Sequence, residues 1–201
     1  MPEKTVQKEP GKKPAPSKKP KPQQEVVVQI PLSELHPFPD HPFQVREDAS
    51  MQETAESVKE YGVLVPALAR PREDGGYELI AGHRRKHACE LAGLATMPVI
   101  VRNIDRDAAT IIMVDSNLQR ENILPSERAK AYKMKMEAIK RQGARTDLTS
   151  PKISAKFRSD DEVGQDAGVS GDTIRNYIAL TQLVPELQQM VDEKKIALSP
   201  A

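Results

Sequence analysis

The 201 residues include 38% hydrophobic and 29% charged side chains but only three Phe, four Tyr and no Trp, so the core has to be aliphatic and the length fits one or two domains. A single cysteine, Cys89, excludes a disulfide framework and a Cys/His zinc finger. With no apolar window near the ~18 residues of a membrane span and no signal-peptide core in MPEKTVQKEP, these features predict a cytoplasmic protein.

From Met1 to Pro22 seven Lys and six Pro stand against two Glu, leaving a net charge of −4 on the rest of a chain that totals +1. Residues 1–24 read as a disordered Lys/Pro-rich tail, either plainly solvated or an electrostatic arm for nucleic acid or an acidic partner. Val26 to Ile30 is a β-branched run ending at Pro31, suited to an edge strand. His36 to Arg46 holds three prolines and reads as an ordered loop. Met51, Ala55, Val58 and Tyr61 recur at helical spacing over Ala49 to Tyr61, with Gly62 as the cap. Val63 to Ala69 and Tyr77 to Ala81 form a predicted hairpin across Asp74-Gly75-Gly76. His83 to Ala92 is a helix closed by Gly93, and Met97 to Val101 a further strand.

After Asp105 every periodic segment is helical: Ala108 to Leu118, then Pro125 to Gln142 with Gly143 as its stop, Asp161 to Ala167, Gly171 to Leu183, and Pro185 to Ile196. Thr146 to Ser159 is polar, contains Pro151 and reads as a linker. The predicted class is α/β (α+β) over residues 25–104 followed by an all-α domain over 105–201.

Two stretches carry chemistry. In Tyr77-Glu-Leu-Ile-Ala-Gly-His-Arg-Arg-Lys-His-Ala88 a strand ends in glycine and turns directly into a helix, so free amides and the positive end of the helix dipole meet at one point. Arg84 and Arg85 in that first turn oppose the dipole unless an anion or nearby acids compensate them. In Asp115-Ser-Asn-Leu-Gln-Arg120, the side chains Asn117, Gln119 and Arg120 cluster where a helix ends, a combination able to bind phosphate oxygens or hydrated Mg²⁺. Helix capping explains Asn117 equally well but not Gln119 or Arg120.

These residues carry a resemblance. Gly82-His-Arg-Arg-Lys-His-Ala88 resembles the GERRxRA box of the ParB family of chromosome and plasmid partition proteins, Asn117 to Ala129 its ENxQRxxLxPxExA stretch, and His41-Pro-Phe-Gln-Val-Arg46 its NPxQPR loop. The resemblance covers about residues 25 to 200 and implies a ParB/sulfiredoxin-like fold in the first domain. It implies a CTP-dependent clamp that loads on a palindromic, centromere-like duplex, closes between two protomers as a homodimer, and slides. By the same resemblance Gln44 and Arg46 lie against the nucleotide and Gly82, His83, Arg84 and Arg85 hold its phosphates. Asn117 is then the Mg²⁺-side residue, with Gln119 and Arg120 near the triphosphate. Weak CTP hydrolysis and a ParA-like ATPase partner are further implications. This chain departs from the motifs at Ser116, where the family has a Glu tied to the magnesium and hydrolysis chemistry, at His83 for the Glu of GERR, and at Val45 for the second proline of NPxQPR. It ends at Ser199-Pro-Ala201 without the C-terminal dimerisation domain usual in the family, as a truncation would.

Asp160 to Tyr177 matches a helix-turn-helix, within about residues 160–183. Gly164 is small where two helices cross, Gly168 permits the turn, Ser170 caps the second helix, and Val163, Ala167, Val169 and Ile174 face inward. Gln165, Ser170, Gly171, Asp172, Thr173, Arg175 and Asn176 are the candidate DNA contacts, with Arg175 suited to guanine or phosphate and Asn176 to adenine.

Competing readings are a helix-turn-helix transcription regulator without a nucleotide switch and a ParB-like nucleotide-dependent kinase. Gly82 occupies the place of the sulfiredoxin nucleophile, which excludes that reductase, and Cys89 reads as a buried small hydrophobe. His36, His41 and His87 read as loop or surface histidines rather than metal ligands. Met134 and Met136 read as packing residues.

Overall fold

A computed structural model describes residues 25–120, 122–146 and 159–198. The Lys/Pro tail and residues 147–158 of the proposed linker lie outside the described residues. Five strands, β1 (Val27–Pro31), β2 (Leu35–Pro37), β3 (Ala67–Pro71), β4 (Tyr77–Ala81) and β5 (Thr96–Val101), form one sheet in the order β1-β5-β3-β4-β2. The β1–β5 and β3–β4 pairs are antiparallel, and β3–β5 and β2–β4 are parallel. The proline-ended run is an edge strand as its composition requires.

Each face of the sheet carries its own apolar cluster. Leu79, Ala67, Ala69, Met97 and Val99 pack with Met51 and Val58 of α1 (Ala49–Tyr61) and with Ala88 and Cys89 of α2 (His83–Leu91). Cys89 is fully buried, which pushes its thiol up from the ordinary value. Ile80, one residue along β4 and therefore on the opposite face, packs with Phe38, Phe43, and Ala109, Met113 and Val114 of α3 (Arg106–Leu118), together with Ala131 of α4 (Pro125–Thr146). This second cluster spans the position where strand signals stop, so the first two helices beyond residue 104 are packed on the sheet. Asp48 and Asp105 accept the N–H groups of Met51 and Ala108 at 2.9 and 2.8 Å, capping α1 and α3.

Helix α5 (Ser159–Ala167), α6 (Gly171–Leu180) and α7 (Pro185–Asp192) complete the chain. Val163 and Ile174 are fully buried against Tyr132 of α4, with Met136, Ala167 and Val169 around them, and Tyr177 meets Tyr132 edge-on at 5.5 Å. Lys135 of α4 is only 1% exposed; its ammonium donates to Asp115 of α3 at 2.7 Å and to Asp166 of α5 at 2.9 Å. Burial opposes that charge, but the two carboxylates outweigh it and hold the lysine above its ordinary value. No helix among the described residues is long and apolar enough to cross a membrane.

The largest differences from the sequence expectation are five. Leu35–Pro37 is a short strand, not loop, because Leu35 is buried and pairs with Tyr77; three residues are too few to show alternation. β3 begins at Ala67 rather than Val63, since Pro66 lacks an N–H and the carbonyls of Val65 and Pro66 accept from Arg85 instead of a strand. α4 continues through Gly143 to Thr146; a helical glycine costs only ~1 kcal/mol. α6 ends at Leu180 because Pro185 forces Val184 into an extended conformation, and α7 ends near Asp192 where Lys194 turns left-handed at φ 59°.

Gly164 sets how closely α5 approaches the turn after it: a Cβ there would lie 2.6 Å from the Val169 carbonyl oxygen. Alanine normally favours a helix interior over glycine. Gly164→Ala is nevertheless expected to lower stability by about 1–3 kcal/mol through overpacking, read as a reduced thermal midpoint. A raised midpoint would contradict the tight approach.

Candidate nucleotide-type cleft and helical surface

Two adjoining clefts open between the sheet's β4–α2 turn, the loop before α1, and the end of α3. The smaller, of about 230 Å³, is lined by Gln44, Gly82, His83, Arg84, Arg85, Asn117 and Arg120 along with His41, Phe43 and Ser116. The larger, of about 620 Å³, shares Gln44, Arg84 and Arg120 and adds Arg46, Gln119 and Glu127 and the start of α1 at Asp48 and Ser50. All nine residues singled out from three separate stretches of sequence therefore line this pair of clefts.

Gly82 makes the geometry possible. Its φ of 114° belongs to the region that side chains rarely adopt, and a Cβ would sit 2.8 Å from the Cβ of Ala67. Strand β4 can therefore turn within one residue into α2, whose first amides have no intrahelical acceptor and whose dipole points its positive end at the cleft.

The arginines of the turn are not bare. Arg84 donates to Ser50 Oγ at 3.1 Å and lies 4.0 Å from Asp48, both at the start of α1. One Nη of Arg85 donates to the carbonyls of Val65 and Pro66 at 2.7 and 2.6 Å, and burial draws its guanidinium below the ordinary value. Arg85 thus fixes the loop before β3 while its remaining donors border the smaller cleft. At the far wall Asn117 Nδ2 and Ser116 Oγ both donate to the Met113 carbonyl, at 2.8 and 2.9 Å, which leaves the amide oxygen of Asn117 as the side chain's acceptor.

Two participants escaped the sequence reading. Glu127, 8% exposed, accepts the Gln44 N–H at 3.1 Å on one oxygen and the Leu124 N–H at 3.3 Å on the other, with Arg46 3.9 Å away. A first-turn acid reads as a helix-dipole residue in sequence; only its contact with a loop 83 residues away shows it to be the fastener between the two walls. His41, read as a loop or surface histidine, does lie in the loop before α1 but is largely buried, with its ring against His83 at 3.9 Å. Three-residue turn chemistry gives no hint of a contact with α2.

The second surface belongs to α5 and α6, joined by residues 168–170. Gly168 takes a φ of 68°, and Ser170 Oγ accepts the Thr173 N–H at 3.2 Å. Gln165, Ser170, Asp172, Arg175 and Asn176 are exposed, while Gly171 and Thr173 are half-buried. Arg175, expected to be available to guanine or phosphate, is instead ion-paired with both Asp160 and Asp172. No group of three or more His, Cys, Asp or Glu able to hold a metal occurs among the described residues.

Removing the Glu127 carboxylate unfastens the loop. In Glu127→Ala, amide hydrogens of Gln44 and Leu124 should exchange about ten- to a hundredfold faster, as expected for losing bonds to a charged acceptor, with helix content unchanged. Unaltered exchange at Gln44 would show that the loop is held by other contacts.

The comparisons with known proteins agree with this geometry. The model of the ParB N-terminal domain matches residues 16–118. A probable chromosome 1-partitioning protein ParB of Deinococcus radiodurans is 38% identical over 161 residues, covering 80% of this chain and 49% of that protein. The chromosome-partitioning protein Spo0J of Thermus thermophilus is 35% identical over 176 residues, covering 87% and 58%. The chain therefore spans about half the length of the curated relatives it matches. Among solved structures, C-terminally truncated ParB of Caulobacter crescentus, complexed to the centromeric parS site, superposes with a TM-score of 0.56 at 27% identity, covering 85% of this chain and 80% of that one. A β4–α2 turn flanked by arginines, an amide-rich end of α3 facing it, and a family model spanning both place this chain in the ParB family.

Proposed function

We propose that this chain is the nucleotide- and DNA-binding part of a partition protein: a CTP-dependent clamp that reads a palindromic, centromere-like duplex through a helix-turn-helix and acts as a homodimer. The observation that carries the nucleotide half is the convergence of Gln44, Arg46, Gly82 to Arg85, Asn117, Gln119 and Arg120 on one pair of clefts. Four guanidinium groups and a helix N-terminus suit a triphosphate.

Mg²⁺ needs only one or two protein oxygens beside the phosphates, and the amide oxygen of Asn117 is a suitable donor. When bound, the cation would neutralise phosphate charge. Ser116 supplies a hydroxyl where the family has a carboxylate, so the protein contributes little negative charge to hold the ion or to orient water, and turnover of CTP is expected to be slow.

For DNA, α6 is the recognition helix, with its exposed Asp172, Arg175 and Asn176 nearest the base edges and Gln165 of α5 beside the backbone. The parS complex of the Caulobacter relative favours this reading. The Asp160 and Asp172 partners of Arg175 have to yield before it reaches a base or phosphate. A cytoplasmic, nucleoid- or plasmid-associated location and a ParA-like ATPase partner accompany the partition role.

Calorimetric titration with CTP, ATP and GTP in the presence of Mg²⁺ tests the nucleotide half. CTP alone should bind, and Arg120→Ala should weaken it at least about tenfold, the scale of one charge-assisted contact. Chromosomal duplexes carrying palindromic sites test the DNA half. Asn176→Ala should cost about 1–3 kcal/mol on the specific site and little on random DNA, measured by anisotropy at fixed salt. Site-specific DNA binding with no nucleotide bound would favour a plain helix-turn-helix regulator. Phosphorylation of a small substrate would favour the kinase.

A further inference from the structure

One feature of the smaller cleft is used neither by the arginine turn nor by the end of α3. His41, in the loop before α1, and His83, the first residue of α2, stack with centroids 3.9 Å apart and planes at 46°. His41 Nδ1 lies 2.7 Å from the Phe43 carbonyl oxygen. A carbonyl only accepts, so the proton of the neutral ring sits on Nδ1 and its Nε2 is a bare lone pair. The Nε2 atoms of both rings are buried without a hydrogen-bond partner. Such an atom is satisfied by a donor, or by a proton that then meets an anion.

The charges facing the pair decide between these. Arg84, Arg85 and Arg120 line the same cleft, Lys86 follows on α2, and Glu127 of α4 is the acid that acts on His41. The surroundings are cationic and call for an anion.

We propose that His41 and His83 form a proton-accepting ligand contact: when a triphosphate enters the cleft, the pair takes one proton from solvent, and one ring turns so that its Nε2–H, shielded in the empty cleft, donates to a phosphate oxygen. This rests on the nucleotide reading above and deepens it. Stacked rings cannot both be charged at this separation without strong repulsion, so the pair titrates as a unit and takes up no more than about one proton. In the free protein burial drives both rings below the ordinary histidine value. For His83, burial, then His41 and then Lys86 bring it down to about 3; for His41, Arg120 adds to burial while the Phe43 carbonyl and Glu127 oppose it. The empty site therefore carries no imidazolium near neutrality, and an anion at Nε2 raises the value. The sign follows: uptake on binding makes affinity highest at low pH, and it falls by up to about tenfold per pH unit as pH rises through the window between the free and ligand-bound values.

The test is calorimetry of the full chain at about pH 7 with excess Mg²⁺, using CTP and inorganic triphosphate, in buffers of differing ionisation enthalpy. The expected result is a heat that varies linearly with buffer enthalpy, reporting uptake of up to about one proton for both ligands. The slope should vanish in His41→Asn/His83→Gln. Binding with buffer-independent heat, or an uptake unchanged in the double variant, overturns this proposal and leaves the nucleotide reading standing. Uptake with CTP but not with triphosphate overturns the phosphate contact. Binding of neither ligand at any pH overturns both readings. Should the double variant fail to fold, the imidazole Cε1–H signals of the unaltered chain give the same answer: at least one should shift toward the protonated position on adding triphosphate, and fixed signals overturn the proposal.

Discussion

The docking of α3 on the sheet is the contact on which the rest depends. Met113 and Val114 fill the face of β4 that presents Ile80, between Phe38 and Phe43, and Ala131 closes the cluster from α4. Without it the turn at Gly82 would face solvent, and Ser116, Asn117 and Arg120 would have no fixed relation to it. Burial of this kind is non-directional, so the loop before α1 needs a second constraint to keep its register with the start of α4. Glu127 supplies it by gripping Gln44 and Leu124 together. The cleft is thus assembled by an apolar surface and then held in register by one carboxylate.

The electrostatics of the cleft are arranged by internal partners. Arg84 is oriented by Ser50 and Asp48, and Arg85 by two carbonyls. Orienting a long cation in the empty protein reduces the rotamer entropy lost when a ligand arrives. Arg175 shows the opposite economy, since its two aspartates compete for the same guanidinium that a nucleic acid would use. That competition disfavours weak, sequence-independent contacts, consistent with a chain that carries little net positive charge.

Local signals in the sequence were enough for most of the fold. Helix α1 and strand β4 fall at their expected residues, and Ser170 caps α6 as its position in the sequence predicts. Misplaced boundaries trace to nonlocal chemistry: β3 starts late because an arginine twenty residues on takes its carbonyls, and β2 exists only through pairing with β4. In the cleft, the glycine, arginines and amides stand in recognisable runs. Glu127 and His41 do not, because a buried acid and a stacked histidine acquire their roles from partners on other elements. Periodicity reports which face of an element is apolar, not what a polar side chain will meet across the fold.

Lys135 places one ammonium between Asp115 of α3 and Asp166 of α5. If either helix slides away from the other, an ion pair stretches while the lysine stays in its dry site, so the cost rises steeply with displacement. The shared lysine therefore opposes independent sliding of the three helices. A tilt imposed on α5 from its exposed side is carried as a lever arm to residue 115, two positions from the amide of Asn117.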